Sequence, residues 1–269
     1  MLSGATTSPP ASVLKDLFAS VAAWRLWTFL AWDDLAKQYR RTFVGPLWLA
    51  LNTAILIAAF GLIWSQVFGH PIDEYLPYVA LGHVAFIFMS AAIMESCHGF
   101  IQAEAFIRQV PLPKLIFPLR VLLRNLFVLA HNLPTAVIAL LFFDRGVLAG
   151  IPLSLLGLTL SCVFLVSIGT ALACLCVRFR DIPSVVANTM QVAFFLSPVL
   201  WRVERLPESY TWIVDFNPFA HFLRLMRDPL LEGTVAPHVI YSALLSTVIA
   251  VVIAALAFAV SRRRIVYWL

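Results

Sequence analysis

Charge is what this chain has least of. Only 19 Lys and Arg and 14 Asp and Glu occur in 269 residues, and six stretches contain none of them: 42–69, 75–94, 125–143, 146–177, 182–201 and 233–261. With 61% hydrophobic residues and a mean hydropathy of +0.90, a soluble fold of this length would expose more apolar surface than water tolerates. A helix rises about 1.5 Å per residue, so about 20 apolar residues match the ~30 Å hydrocarbon layer of a bilayer. The expected fold is therefore all-α and integral to a membrane. Six transmembrane helices are predicted at about 44–68, 75–94, 118–143, 150–177, 183–201 and 238–261, with connections too short for a separate soluble domain.

Other absences narrow the function. Carriers coupled to protons or sodium ions place Asp or Glu inside the membrane, yet all 14 acidic residues lie outside the six stretches. None of the three lysines, Lys15, Lys37 and Lys114, follows the Gly of a phosphate-binding loop. Any ATP hydrolysis that drives this chain must occur on another polypeptide, so no cofactor is expected here and ATP with magnesium belongs to that partner. There is no His-Glu-x-x-His and no Gly-x-Ser-x-Gly. Cys97, Cys162, Cys174 and Cys176 lack the spacing and flanking His of a zinc site, so no metal and no structural disulfide are expected.

The polar residues that do enter the apolar stretches are Asn52, Gln66, His83, His131, Asn132, Asn188 and Gln191. His131 and Asn132 precede Pro134, where a helix needs substitute hydrogen-bond partners; a catalytic His is the other reading, without an acid in any span to support it.

The cations are unevenly distributed. Fourteen fall on the side that carries both termini and five on the other (Arg145, Arg202, Arg205, Arg224 and Arg227), which places both termini in the cytoplasm. That asymmetry accounts for the net charge of +5 without a nucleic-acid partner. Residues 1–14 have no basic region ahead of an apolar run, so a cleaved signal peptide is not expected. Residues 1–41 read as a tail followed by an amphipathic helix. Leu14, Leu17, Phe18 and Val21 recur at helical spacing, with Trp24, Trp27 and Trp32 beyond them. Trp beside charge suits a helix in the headgroup layer; packing on a partner subunit is the alternative.

Two basic connections stand between the apolar stretches. Residues 95–114 read as a short helix closed by Pro111 and Pro113, presenting Phe100, Ile101, Phe106, Ile107 and Arg108 to a partner groove. In the second connection, Arg178-Phe179-Arg180-Asp181-Ile182-Pro183, Asp181 is placed to cap the next helix and Pro183 to sit in its first turn.

The run Lys37-Gln38-Tyr39-Arg40-Arg41-Thr42-Phe43-Val44-Gly45-Pro46-Leu47-Trp48 resembles the segment that leads into the first span of the permease subunits of type 2 ATP-binding cassette exporters, which move O-antigen, capsular polysaccharide and teichoic acid. Arg178–Ile182, Phe195-Leu196-Ser197-Pro198-Val199 and Asn217-Pro218-Phe219 are similar to that family in the same order, over residues 30 to 265.

The resemblance implies a type 2 transmembrane domain over 42–265 in the bacterial inner membrane, acting as a homodimer with two ATPase subunits. Lipid-linked polysaccharide would be the substrate. It implies an interface helix carrying Trp24, Trp27 and Trp32, and ATPase coupling through Phe106, Ile107, Arg108, Arg178, Phe179, Arg180 and Asp181. Residues 202–237 would form re-entrant helices at an external gate, with Asn217, Pro218, Phe219 and Phe222; a plain surface loop is the alternative. Pyranose C–H faces pack on aromatic rings, which makes Phe194, Phe195 and Trp201 candidates for the substrate channel, although membrane aromatics also serve lipid-facing belts. An exporter of drugs or small lipids, or a membrane-bound transferase, are the competing functions.

Overall fold

The computed structural model describes residues 13–40, 45, 47–143 and 147–269, all of them helical or in short connections, with no strand among them. Arg41 to Val44 and Pro46, from the lead-in motif, lie outside the described residues, as does Arg145. In chain order the helices are α1 (Val13–Ala22), α2 (Trp24–Tyr39), α3 (Leu47–Phe68), α4 (Ile72–Ser96), α5 (Gly99–Gln102), α6 (Glu104–Gln109), α7 (Ile116–Phe142), α8 (Ile151–Arg178), α9 (Ile182–Leu196), α10 (Trp212–Asp215), α11 (Pro218–Glu232), α12 (Pro237–Ser261) and α13 (Ile265–Trp268).

Five of these are long and apolar enough to cross a membrane: α3, α4, α7, α8 with its preceding turn, and α12. Where a sixth crossing of residues 183–201 was expected, α9 has only 15 residues, about 22 Å, and ends at Leu196. It stops where Ser197 turns to an extended backbone ahead of Pro198, which removes a donor and biases the preceding residue away from helix.

The bundle is built around α4 and α8, the most buried of the long helices, with α7 against α4, α12 along α8 and α11 wedged between them. α3, α7 and α12 turn Leu, Ile and Val side chains outward, the arrangement lipid rather than water stabilises. Pro134 is accommodated inside α7. His131 Nδ1 donates to the Phe127 carbonyl at 2.6 Å, and Asn132 Oδ1 accepts from Thr53 Oγ1 of α3 at 2.9 Å. His131 thus bonds back within its own helix and Asn132 ties α7 to α3; neither bond goes to the carbonyl of Ala130, the group that Pro134 deprives of its helical donor.

The amphipathic N-terminal segment is two helices, because the chain breaks at Ala23. Leu14, Phe18, Val21 and Trp24 form an exposed apolar stripe on α1 and the start of α2. α2 is tied to α7 through Asp34 with Arg120, Gln38 with Arg124, and Trp32 edge-on to Phe127 at 5.7 Å. Glu95 at the end of α4 pairs with the same Arg124 and accepts from Asn125 at 2.8 Å. The N-terminal helices meet the C-terminal residues in a second small core, where Leu26 and Trp27 pack with Phe100, Phe117, Cys174, Phe258 and Ile265. This end of the bundle is called the terminal end below, and the opposite one the distal end.

Candidate functional site

The two connections singled out in the sequence lie together at the terminal end. The 95–114 connection folds as two short helices, α5 and α6, where one was expected, because the chain bends at Ala103. Phe106 is exposed, and Arg108 is exposed and paired with Glu104 at 2.9 Å; Phe100, expected to face a partner, is instead fully buried, and Ile101 and Ile107 pack into the terminal core because the bend at Ala103 turns their face inward. In the second connection Phe179, Arg180 and Asp181 are exposed, while Arg178 lies over the rings of Phe179 and Trp268 at 5.6 and 5.2 Å. α13 touches both α6 and α8, so these connections and the C-terminal helix share one surface. Asp181 occupies the cap position of α9, but its side chain makes no capping bond; its carbonyl accepts from Ser184 and Val185 instead. Close by, burial raises the carboxyl pKa of Asp16 above its ordinary value, and burial also lowers the ammonium pKa of Lys114, so α1 is seated with charge partly withdrawn from water.

Of the three tryptophans assigned to the interface helix, Trp24 and Trp32 are exposed. Trp27 turns inward and donates Nε1–H to the Ser20 carbonyl at 3.1 Å.

At the distal end the structure joins two motifs that the sequence shows separately. Asn217 caps α11, accepting from the Phe219 and Ala220 amides at 3.0 and 3.4 Å, and donates from Nδ2 to Ser197 Oγ at 3.0 Å. Pro218 stands in the first turn. Phe219 packs edge-on against Phe86 and Phe164, and Phe222 is fully buried 4.7 Å from Phe164. These residues anchor α11 into the cleft between α4 and α8. An Asn217→Ala substitution removes the cap and the Ser197 tie together, and should lower stability by about 1–2 kcal/mol, read as a lower midpoint of thermal unfolding in detergent.

The non-helical residues after α9 find their partners in side chains. Tyr75 donates to the Leu200 carbonyl at 2.5 Å and Tyr78 to the Trp201 carbonyl at 2.8 Å. Arg227 donates to the Pro198 carbonyl at 2.6 Å, pairs with Asp228 at 2.9 Å, and lies 3.7 Å above the Tyr78 ring. Asp228 also accepts from Arg224 at 3.2 Å. With a side chain only 2% exposed, Arg227 is the most buried of these charges, and sequence reasoning passed it over as one cation among five. The available signal was the Arg224, Arg227, Asp228 spacing, which puts all three on one helical face. Beside this knot lies a polar cavity of about 430 Å³ whose lining includes His70, Arg202, Arg205, Glu204 and Glu232. Burial, then the charges of Arg202 and Arg205, holds the pKa of His70 down. Burial, then Asp228 and Glu204, raises that of Glu232.

The channel candidates separate. Phe194 is half-buried within an aromatic cluster, 5.4 Å from Phe86 and 6.1 Å from His83. Phe195 is 64% exposed. Trp201 bends back to donate Nε1–H to the Phe195 carbonyl at 2.9 Å.

The model of the ABC-2 type transporter family matches residues 25–231, most of the chain. The chain belongs to the ABC-2 type transporter family. As a member it is a multi-pass membrane subunit of an ATP-binding cassette transporter. Two relatives from Klebsiella pneumoniae, both named O-antigen export system permease protein RfbA, are 24% and 25% identical over 206 residues, covering 75% and 74% of this chain and 78% of each relative. A Myxococcus xanthus protein of the same name is 21% identical over 192 residues, 71% of this chain and 74% of the relative. For an ABC-2 permease the matched region takes in α2 to α11, and so contains both connections at the terminal end and the distal knot.

Proposed function

We infer that this chain is the membrane-spanning subunit of an exporter that moves a lipid-linked polysaccharide from the cytoplasmic to the external leaflet, powered by a separate ATPase. The observation that carries the reading is similarity to O-antigen export permeases across about three quarters of both partners, in a chain with no nucleotide-binding loop. On this reading two copies of the chain assemble with two ATPase subunits in the bacterial inner membrane, and both termini are cytoplasmic. The terminal end is then the cytoplasmic end, and the excess of Lys and Arg on that side supports it.

Residues 183–201 make the fifth of six crossings. α9 alone is too short, but Ser197 to Leu200 are buried, and the Pro198, Leu200 and Trp201 carbonyls accept bonds from Arg227, Tyr75 and Tyr78. Irregular backbone is tolerated at membrane depth when protein encloses it in this way. α10 and α11 re-enter from the external side, and the bare apolar stripe of α1 lies in the headgroup layer.

Coupling to the ATPase passes through Phe106, Arg108, Phe179, Arg180 and Asp181, all exposed on one surface, with Ile107 and Arg178 fixing that surface to the terminal core. ATP-driven closure of the ATPase pair would move these segments and shift the bundle between closed and open states. Arg180→Glu sets a like charge beside Asp181 and should weaken co-purification of the ATPase and surface display of the glycan by about tenfold, the equivalent of about 1.4 kcal/mol, with membrane insertion intact. Unchanged co-purification and display would remove Arg180 from the coupling surface. In a strain lacking the permease, failure of the wild-type chain with its ATPase to restore any surface glycan would sink the export reading itself.

A further inference from the structure

Halfway along α4, His83 is 5% exposed and neither ring nitrogen has a hydrogen-bond partner. Two aromatic rings stand edge-on to it, Phe60 at 5.6 Å and Phe194 at 6.1 Å, and aromatic faces accept hydrogen bonds weakly. At bilayer depth an unpaired imidazole has no water to turn to, so it stands as an unmet requirement for a polar partner. It lines a cavity of about 400 Å³ between α4 and α9, together with Phe86, Ser90, Gln191, Phe194 and Phe195. Gln191 and Phe195 are exposed on the same stretch of α9, four residues apart.

The chemistry of this lining selects its occupant. No Asp, Glu, Lys or Arg borders the cavity, so nothing there balances a phosphate or carboxylate. A lipid acyl chain would fill the space but leave the His83 nitrogens and the Gln191 amide unpaired. A pyranose answers both halves of the lining: its C–H face packs on Phe195 and its hydroxyls donate to and accept from His83, Gln191 and Ser90. We propose that His83 and Gln191, with Phe195 as the stacking face, form a subsite for neutral, hydroxyl-rich sugar units on the translocation path. This rests on the export reading above and adds the residues that choose among glycans.

The test uses the full chain with its ATPase in proteoliposomes, with p-benzoylphenylalanine at position 195. The probe is a short polyprenyl-linked oligomannoside, compared with the same oligomer carrying glucuronic acid at alternate positions. Ultraviolet light should join the neutral oligomer to the permease, with the acidic one labelling far less. His83→Phe should cut the neutral adduct about fivefold, the loss expected of one hydrogen bond, while His83→Gln keeps it within about twofold. Gln191→Leu, at an exposed position that does not disturb the core, should lower it to a similar degree. Adducts only with bulk lipid or with a second permease, equal labelling by the acidic oligomer, or adducts indifferent to both substitutions would each overturn the subsite. ATP-dependent movement of the oligomannoside into the vesicle lumen is measured in the same preparation. Translocation without labelling refutes the subsite and leaves export standing, whereas labelling without translocation upholds the subsite and refutes export.

Discussion

Asp228→Ala should abolish export and lower the stability of the bundle by about 3–5 kcal/mol, the range for removing one member of a buried ion pair. The carboxylate accepts from two guanidiniums, Arg224 and Arg227, whose side chains are 14% and 2% exposed. Without it Arg227 keeps the Pro198 carbonyl and the Tyr78 ring, neither of which carries a full charge. The cost falls on the segment after α9, since Arg227 and the two tyrosines hold that backbone in place. Arg227→Met should cost less, because Asp228 retains Arg224 and an unbranched apolar chain fills much of the same space. A double variant, Arg227→Met with Asp228→Leu, removes both central charges and should recover part of the loss, giving a strong coupling between the positions. The check is thermal unfolding of the purified permease in detergent alongside glycan display in cells. An Asp228→Ala protein that melts with the wild type and exports normally would show that the knot is incidental.

Gly150→Ala should be nearly as damaging, for a reason unrelated to charge. The backbone of Gly150, just ahead of α8, lies so close to α11 that a Cβ there would overlap the Pro229 carbonyl, which is backbone and cannot rotate away. Two contacts pin the same seam: the Val147 amide donates to the Leu230 carbonyl at 2.8 Å and Ser154 Oγ to the Met226 carbonyl at 2.5 Å. One helical turn beyond Ser154, a Cβ on Gly157 would stand 2.8 Å from the Leu225 carbonyl, so the close approach continues along the helix. Forcing α11 outward would disturb Asn217, Arg227 and Asp228 together. Destabilisation at or above the upper end of the ~1–3 kcal/mol typical of overpacking is expected, with loss of export at growth temperature. Gly233→Ala offers a contrast. Its φ of 77° puts most of the strain in the backbone at the end of α11, and a Cβ there would meet only the Val147 side chain, at 3.3 Å, so it should lower stability by about 1 kcal/mol with far less displacement of the seam. Equal stability of Gly150→Ala and wild type would show that α8 and α11 can separate at no cost.

The terminal end was more legible than the distal end. Phe106, Arg108, Phe179, Arg180 and Asp181 are exposed as their places in polar connections implied, because a charged loop between apolar stretches has nowhere to go but the bundle surface. Ile107 and Trp27 were not separable from their neighbours in this way. Ile107 lies in a six-residue helix and Trp27 in the first turn of α2, and which side turns inward depends on what the C-terminal part of the chain supplies, here Phe258, Ile265 and Trp268. Phe194 and Phe195 look alike in sequence, yet one is held in an aromatic cluster and the other faces out, since adjacent residues on a helix point about 100° apart. The position of α4 decides which is which.

The sequence by itself determined that this is a helical membrane protein with no acid in its apolar stretches, because hydrocarbon thickness and the cost of charge in lipid act on local composition. It also placed the charged connections in the gaps between apolar stretches. Only the tertiary structure decided that the expected fifth crossing stops short as a helix, that Arg227 is buried, and that His83 is left without a partner. Each of those depends on contacts between segments remote in the chain, Tyr75 with Leu200, Arg227 with Pro198 and His83 with Phe194, and no spacing along the sequence encodes such meetings.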